Sequence, residues 1–294
     1  MKTIARYIAL TLLALLTTAC SQFKLAVVNM PTHFDNIIVH RGVAFGPADW
    51  QKLDIHMPPA ATEKPAPVIV FYYGGRWTNG ARADYRFVGS ALARAGYIVV
   101  IPDTRKYPDV KFPTFIHDTA QSLAWVTDNI EKYGGDPRAI HLSGHSSGAH
   151  MAALVATDPR YLAAQGKDIN TVIRSFVGLA GPYAFIPHEP DLQVMFGPPE
   201  NYPQMQVPTF INGTQPPMLL LWGADDIHVG QFNMDKLSAA IDERGGCVRT
   251  KIYPGVDHVW LLARLSWLRL NNQSVLPDWL EFIRGTGCPT LQSP

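Results

Sequence analysis

Leu53, Ile55 and Met57 alternate with Asp54 and His56. That period of two predicts a half-buried β-strand over residues 52–57, because successive strand side chains point to opposite faces. An earlier strand is expected over 36–45, and the proline-rich stretch 58–67 reads as a surface turn. The pattern then changes: 68–72 and 218–222 are apolar without interruption, which suits strands covered on both faces, as in a parallel sheet. Residues 97–101, 139–142, 175–179 and 248–253 supply the remaining strands. Between them the period lengthens. Ile116, Ala120, Leu123, Val126 and Ile130 recur at steps of four, three, three and four, so 113–132 is expected as one long helix before Gly134-Gly135. Further helices are expected over 86–95, closed by Gly96, and over 147–157, 231–244, 261–270 and 275–283. Strands alternating with helices of these lengths imply an α/β architecture with a doubly wound, mostly parallel sheet. Residues 182–217 break the rhythm with many prolines and read as a cap or lid. There is no internal repeat, and 36–294 is expected to be a single domain.

Charge and cysteine usage narrow the setting. Twenty-five basic against twenty-four acidic residues give a net charge of +1, so no overall field draws the chain to nucleic acid. Lys2 and Arg6 precede an apolar run over 7–16, too short for a comfortable membrane span and suited to an export signal over 1–19. Residues 20–35 are then a tether. Thr17-Thr18-Ala19-Cys20 resembles a bacterial lipobox, although that box usually has an aliphatic residue where Thr17 stands. The expected product is an exported protein, periplasmic or held at a membrane by a lipid on Cys20, with simple secretion after cleavage near Ala19 as the alternative. Cys247 and Cys288 are then an even pair, for which an oxidising compartment permits a disulfide.

The chemistry centres on Gly144-His145-Ser146-Ser147-Gly148, set between an apolar strand and a run of small residues. This is the pattern of a nucleophile elbow: a serine raised on a tight strand-to-helix turn, flanked by glycines because a Cβ at either place would meet backbone. The amide of Ser147 opens the following helix and can donate to a developing oxyanion. His141, His145 and His150 fall on a strand, a turn and a helix without the spacing of a metal site, and neither a phosphate-cradling loop nor a dinucleotide fingerprint occurs. No cofactor is expected.

Tyr73-Gly74-Gly75-Arg76-Trp77 with Gly80, the stretch from Asp103 to Pro113, Trp125, Tyr133-Gly134-Gly135-Asp136-Pro137 and the serine motif together resemble the esterase and lipase branch of the α/β-hydrolase fold. The likeness is nearest to carboxylesterases related to hormone-sensitive lipase, feruloyl or acetyl-xylan esterases and kynurenine formamidase. That resemblance implies a serine hydrolase of carboxylic esters, acting on a small-molecule ester with a small to medium acyl group. Its chain order of nucleophile, acid and histidine points to Ser146, then Asp226 in Gly223-Ala224-Asp225-Asp226, then His258 in Tyr253-Pro254-Gly255-Val256-Asp257-His258. Asp225 is read as a solvated turn carboxylate and Asp257 as a loop residue. His228 stands too close to the acid turn; His33, His40, His56, His117, His141, His150 and His188 are read as structural, and His145, beside the serine, as shaping the pocket without a proton-transfer role. The resemblance also implies an oxyanion hole from the amides of Gly75, Arg76 and Ser147, with Tyr73 standing where the family has histidine. Two readings of the Arg76 side chain stay open, attraction of an anionic substrate group or exposure to solvent. So do two readings of Tyr183, Phe185, Phe196, Tyr202 and Phe210, as pocket lining or as the cap's own core. The alternatives for function are amide or formamide hydrolysis by the same residues, and a non-catalytic lipoprotein that uses the fold for binding.

Overall fold

The computed structural model describes residues 26–59, 64–266 and 274–286. Eight strands, β1 (Val39–Ala44), β2 (Lys52–His56), β3 (Ala66–Tyr72), β4 (Ile98–Pro102), β5 (Gly135–His145), β6 (Ile173–Leu179), β7 (Met218–Gly223) and β8 (Val248–Tyr253), form one sheet in the order β1-β2-β4-β3-β5-β6-β7-β8. β1 and β2, and β2 and β4, pair antiparallel, and every later pairing is parallel. The uninterrupted apolar runs are the fully buried central strands: Ile69, Val70 and Phe71 of β3 and Leu220 and Leu221 of β7 have almost no solvent contact. Helices Arg86–Ala93, Thr114–Asn129, Ser147–Thr157 and Phe232–Glu243 pack on the sheet. Every residue of Ser147–Thr157 is buried, which its many alanines allow by letting the helix lie close to its neighbours.

The winding places the site. β4 lies on one side of β3, and the chain then crosses back to put β5 on the other. At such a reversal the loops leaving the two strands diverge and open a crevice at the carboxyl edge of the sheet. The glycine turn follows β3 there, and Ser146 follows β5.

Several elements differ from expectation for identifiable reasons. β5 starts at Gly135, ahead of Pro137; the pairing jumps from Ala66–Gly135 to Val68–Ile140, so the residues around the proline bulge from the ladder. Residues 182–217 hold the short helix Pro190–Phe196 and the 3₁₀ turns Pro199–Gln204 and Val207–Phe210, each with proline at its first or second position. Proline there sacrifices no hydrogen bond, and elements this short show no periodicity. The described part of the expected tether is docked: residues 26–29 are helical, Val28 is buried, and Asn29 donates to the Asp84 carbonyl (2.6 Å) and accepts from the Phe87 amide (3.0 Å). Residues 1–19, Cys20, Cys288 and 267–270 lie outside the described residues. Cys247, next to β8, is disulfide-bonded. No helix among the described residues is long and apolar enough to cross a membrane.

Besides His258, four histidines among the described residues are shut in the interior. Burial pushes His56, His141 and His150 down to about 4 and His145 down to about 3, from an ordinary 6.5. In the unfolded chain these imidazoles take up protons near pH 6.5, while in the fold they stay neutral until far lower pH. The unfolded state therefore binds more protons between about pH 6.5 and 4, and stability falls as pH falls through that window, by up to about 1.4 kcal/mol per pH unit for each histidine. Thermal melts from pH 8 to 4.5 should show a nearly constant Tm down to about pH 6.5 and a steep drop below it; a Tm flat to pH 5 would contradict this account.

Candidate active site

Ser146 joins β5 to the helix Ser147–Thr157 with φ 54° and ψ −126°. This is a strained backbone for any residue with a side chain, and it persists only where the surroundings over-determine it. Here they do. A Cβ on Gly144 would lie 2.5 Å from the Gly148 carbonyl carbon, and one on Gly148 would lie 2.1 Å from the Tyr72 carbonyl oxygen. The spacing of the motif is thus a packing requirement between the end of β3 and the first turn of the helix. Gly148→Ala should lower stability by about 1–3 kcal/mol or stop soluble protein accumulating, because the obstacle is backbone that cannot rotate away. An unchanged Tm would contradict the close approach.

The glycine turn after β3 runs beside this elbow. Gly75, Arg76 and Trp77 all have positive φ, at 138°, 56° and 58°. The amides of Thr78 and Asn79 close the turn on the Gly75 carbonyl, and among the described residues no acceptor is found for the amides of Gly75 and Arg76. A Cβ on Gly74 would stand 3.0 Å from the Ser146 Cβ, so the turn and Ser146 are in contact. Tyr73 points away from the reacting side: its hydroxyl donates to Asp103 (2.7 Å), which also pairs with Arg82, and its ring stacks on Tyr85, whose hydroxyl donates to the Gly74 carbonyl (3.1 Å). Tyrosine at this place anchors the turn from behind.

Asp226 and His258 come from the loops after β7 and β8. Backbone bonds from Ala224 to the Tyr253 carbonyl (3.0 Å) and from Asp225 to the Val256 carbonyl (3.0 Å) lock the two loops together. A Cβ on Gly223 would sit 2.3 Å from the Val256 oxygen, which explains the glycine that opens the Asp226 loop. His258 Nδ1 donates to Asp226 Oδ2 at 2.7 Å, while Asp226 Oδ1 accepts the amides of His228 (2.9 Å) and Val229 (3.0 Å). Burial works to raise the Asp226 carboxyl, but the hydrogen bond and charge of His258, with those two amides, hold it below the ordinary carboxylate range. With Nδ1 carrying the proton, Nε2 of a neutral His258 presents a lone pair. Asp257 is more than a loop residue: its carboxylate caps the helix His258–Ala263 by accepting the amides of Val259 (3.0 Å) and Trp260 (2.7 Å). An aspartate just ahead of an apolar run is a helix-start signal that was present in the sequence. His145 donates through Nε2 to the His258 carbonyl (3.0 Å), steadying the backbone of that histidine from below.

Ser146, Ser147 and His258 line a cavity of about 530 Å³ between the sheet edge and the cap, with Trp77, Phe185, Leu192 and Phe232 among its apolar walls and His188, Glu189, His228 and Asn233 among its polar ones. Of the five cap aromatics, Phe185 lines this cavity. Phe196 and Tyr183 are core side chains, and Phe196 packs edge-on against Trp77 (4.9 Å between centroids). His188, read from sequence as structural, and His228, set aside there as too close to the Asp226 turn, also face the cavity. The Arg76 guanidinium, partly exposed, forms a two-point ion pair with Asp191 of the helix Pro190–Phe196. Both partners are more than two-fifths exposed, so the pair adds little to stability.

Residues 53–241 match the BD-FAE family model. A probable isoprenylcysteine alpha-carbonyl methylesterase ICME of Oryza sativa subsp. japonica is 28% identical over 241 residues, covering 75% of this chain and 58% of that protein. Esterase LipQ of Mycobacterium tuberculosis is 29% identical over 263 residues, covering 83% and 62%, and esterase LipC of the same organism is 37% identical over 150 residues, covering 49% and 37%. The chain spans about half the length of the curated relatives it matches. Among solved structures, esterase B from Lactobacillus rhamnosis superimposes with a TM-score of 0.75 at 19% identity, covering 97% of this chain and 95% of that one. Esterase 2 of Thermogutta terrifontis gives 0.69 at 20%, covering 87% and 95%. These structures share the α/β-hydrolase fold with the chain.

Proposed function

Since the chain belongs to the BD-FAE family, of α/β-hydrolase fold, we propose that it hydrolyses carboxylic esters through an acyl-enzyme formed on Ser146. One observation carries this reading: a serine on a strained elbow and an imidazole oriented by a carboxylate line the same cavity. In this mechanism His258 Nε2 takes the Ser146 proton as the oxygen attacks the ester carbonyl, and Asp226 stabilises the imidazolium that results. Charge on the carbonyl oxygen is received by the amides of Gly75, Arg76 and Ser147, the last at the first position of a helix where amides have no intrahelical partner. Collapse of the tetrahedral species breaks the carbon–oxygen bond, and His258 returns the proton to the departing alcohol. Water then attacks the acyl-enzyme by the same proton route and frees Ser146. No cofactor enters these steps.

A cavity of about 530 Å³ is of the size that holds small molecules and favours small to medium acyl groups. Export and a lipid on Cys20 belong to the same proposal and are supported by residues 1–20 of the sequence. Initial rates on p-nitrophenyl esters from acetate to palmitate, beside matched anilides, test the reading. Ester hydrolysis strongest at short to medium chains is expected, and cleavage of anilides with inert esters would overturn it in favour of amide hydrolysis.

A further inference from the structure

Three exposed apolar side chains line the Ser146 cavity, and a fourth, Ile227, adjoins it along the chain. Ile186 belongs to the cap, Phe232 starts a helix, and Val259 follows His258; each is about half exposed, and each also lines the cavity. Ile227, 89% exposed, stands between Asp226 and the cavity-lining His228. Single exposed apolar residues are ordinary on a protein surface, but a cluster continuous with a cavity marks a place where something apolar is meant to land.

The charges around this rim indicate what lands. Arg76 is occupied by Asp191, and the Lys236 ammonium lies 5.5 Å over the Phe232 ring. Glu189 lines the cavity and Asp225 stands exposed beside Ile227. Surfaces that bind anionic lipid present clustered, unpaired Lys and Arg; among the described residues this rim holds a single lysine, Lys236, beside two carboxylates, and no such cluster. We propose that Ile186, Ile227, Phe232 and Val259 form a docking surface for the interface between water and an uncharged, aggregated ester. Docked in this way, the cavity opens directly onto the substrate phase, and an ester enters Ser146's cavity without first crossing water. The proposal rests on the ester-hydrolase reading and names the physical form of its substrate.

The test uses the full chain and Ile227→Ser, a change at a side chain that does not line the cavity. Hydrolysis of tributyrin is followed through its solubility limit, beside a fully soluble ester. Wild-type rates should rise above the monomer curve once droplets form. Ile227→Ser should lose about tenfold of the droplet rate, the order expected for one large apolar side chain kept from burial, with the rate on the soluble ester unchanged. A single hyperbola through the limit, or equal losses on both substrates, would overturn the proposal. Flotation of the Ser146→Ala protein with uncharged droplets reads docking apart from catalysis: flotation that Ile227→Ser abolishes is expected, and protein that stays in solution would refute docking even if esters are cleaved. Sedimentation velocity showing an Ile227-dependent dimer would also refute it, assigning the patch to a second copy of the chain.

Discussion

Alanine in place of Ser146 is expected to lower turnover about 10⁶-fold, the loss typical when the nucleophile of such a triad is removed, while leaving the fold unchanged. The two halves of this expectation have separate grounds. Without the hydroxyl no acyl-enzyme forms, and His258 has no proton to accept, so residual hydrolysis comes only from substrate binding and the oxyanion amides. The structural half follows from the serine's surroundings: its side chain makes no capping hydrogen bond to the helix it precedes, and alanine keeps the same Cβ on the same strained backbone. Initial rates with the ester that wild type cleaves fastest, together with thermal melts, check both. Turnover within a hundredfold of wild type would remove Ser146 from the mechanism.

Asp226→Asn is expected to cost about 10⁴-fold in kcat at neutral pH, as for an orienting aspartate whose loss inverts the histidine tautomer. The hydrogen bonds of this chain show why. Oδ1 of Asp226 accepts two backbone amides, from His228 and Val229, so an asparagine side chain must keep its oxygen there. Its NH₂ group then takes the place of Oδ2 and faces His258 Nδ1, which lies 2.7 Å away in the native pair. Two donors cannot share that contact. Nδ1 becomes the acceptor, the imidazole proton moves to Nε2, and the atom that should receive the serine proton already carries one. KM should change little, because Asp226 does not line the cavity. A loss of less than about tenfold would show that the tautomer is set by something else.

How much of this could be seen in the amino-acid order depends on how local each cause is. The buried strands at 68–72 and 218–222 were legible because two-sided burial erases alternation, and the elbow was legible because a backbone collision demands glycine at two fixed places. Chain order alone chose His258 over His228, and the structure joins His258 to Asp226. The cap was opaque for the opposite reason: helices such as Pro190–Phe196 are too short for a period to emerge, although a proline opening each one was a usable signal. The Arg76–Asp191 pair joins residues 115 positions apart, and nothing local in either segment announces it. Tyr73 is a comparable case. The sequence marked it only as standing where the family has histidine, whereas its hydroxyl donates to Asp103, itself paired with Arg82, behind the turn, a network assembled only when β3, β4 and the following loop are side by side.

The central claim is that the Ser146 oxygen is made nucleophilic by its neighbours, and active-site labelling tests it most directly. Wild-type protein treated with a fluorophosphonate and digested for mass spectrometry should carry one phosphonyl group, on the peptide containing Ser146, with ester hydrolysis lost in step with labelling. Full ester hydrolysis persisting in protein whose Ser146 peptide stays unmodified would contradict the account.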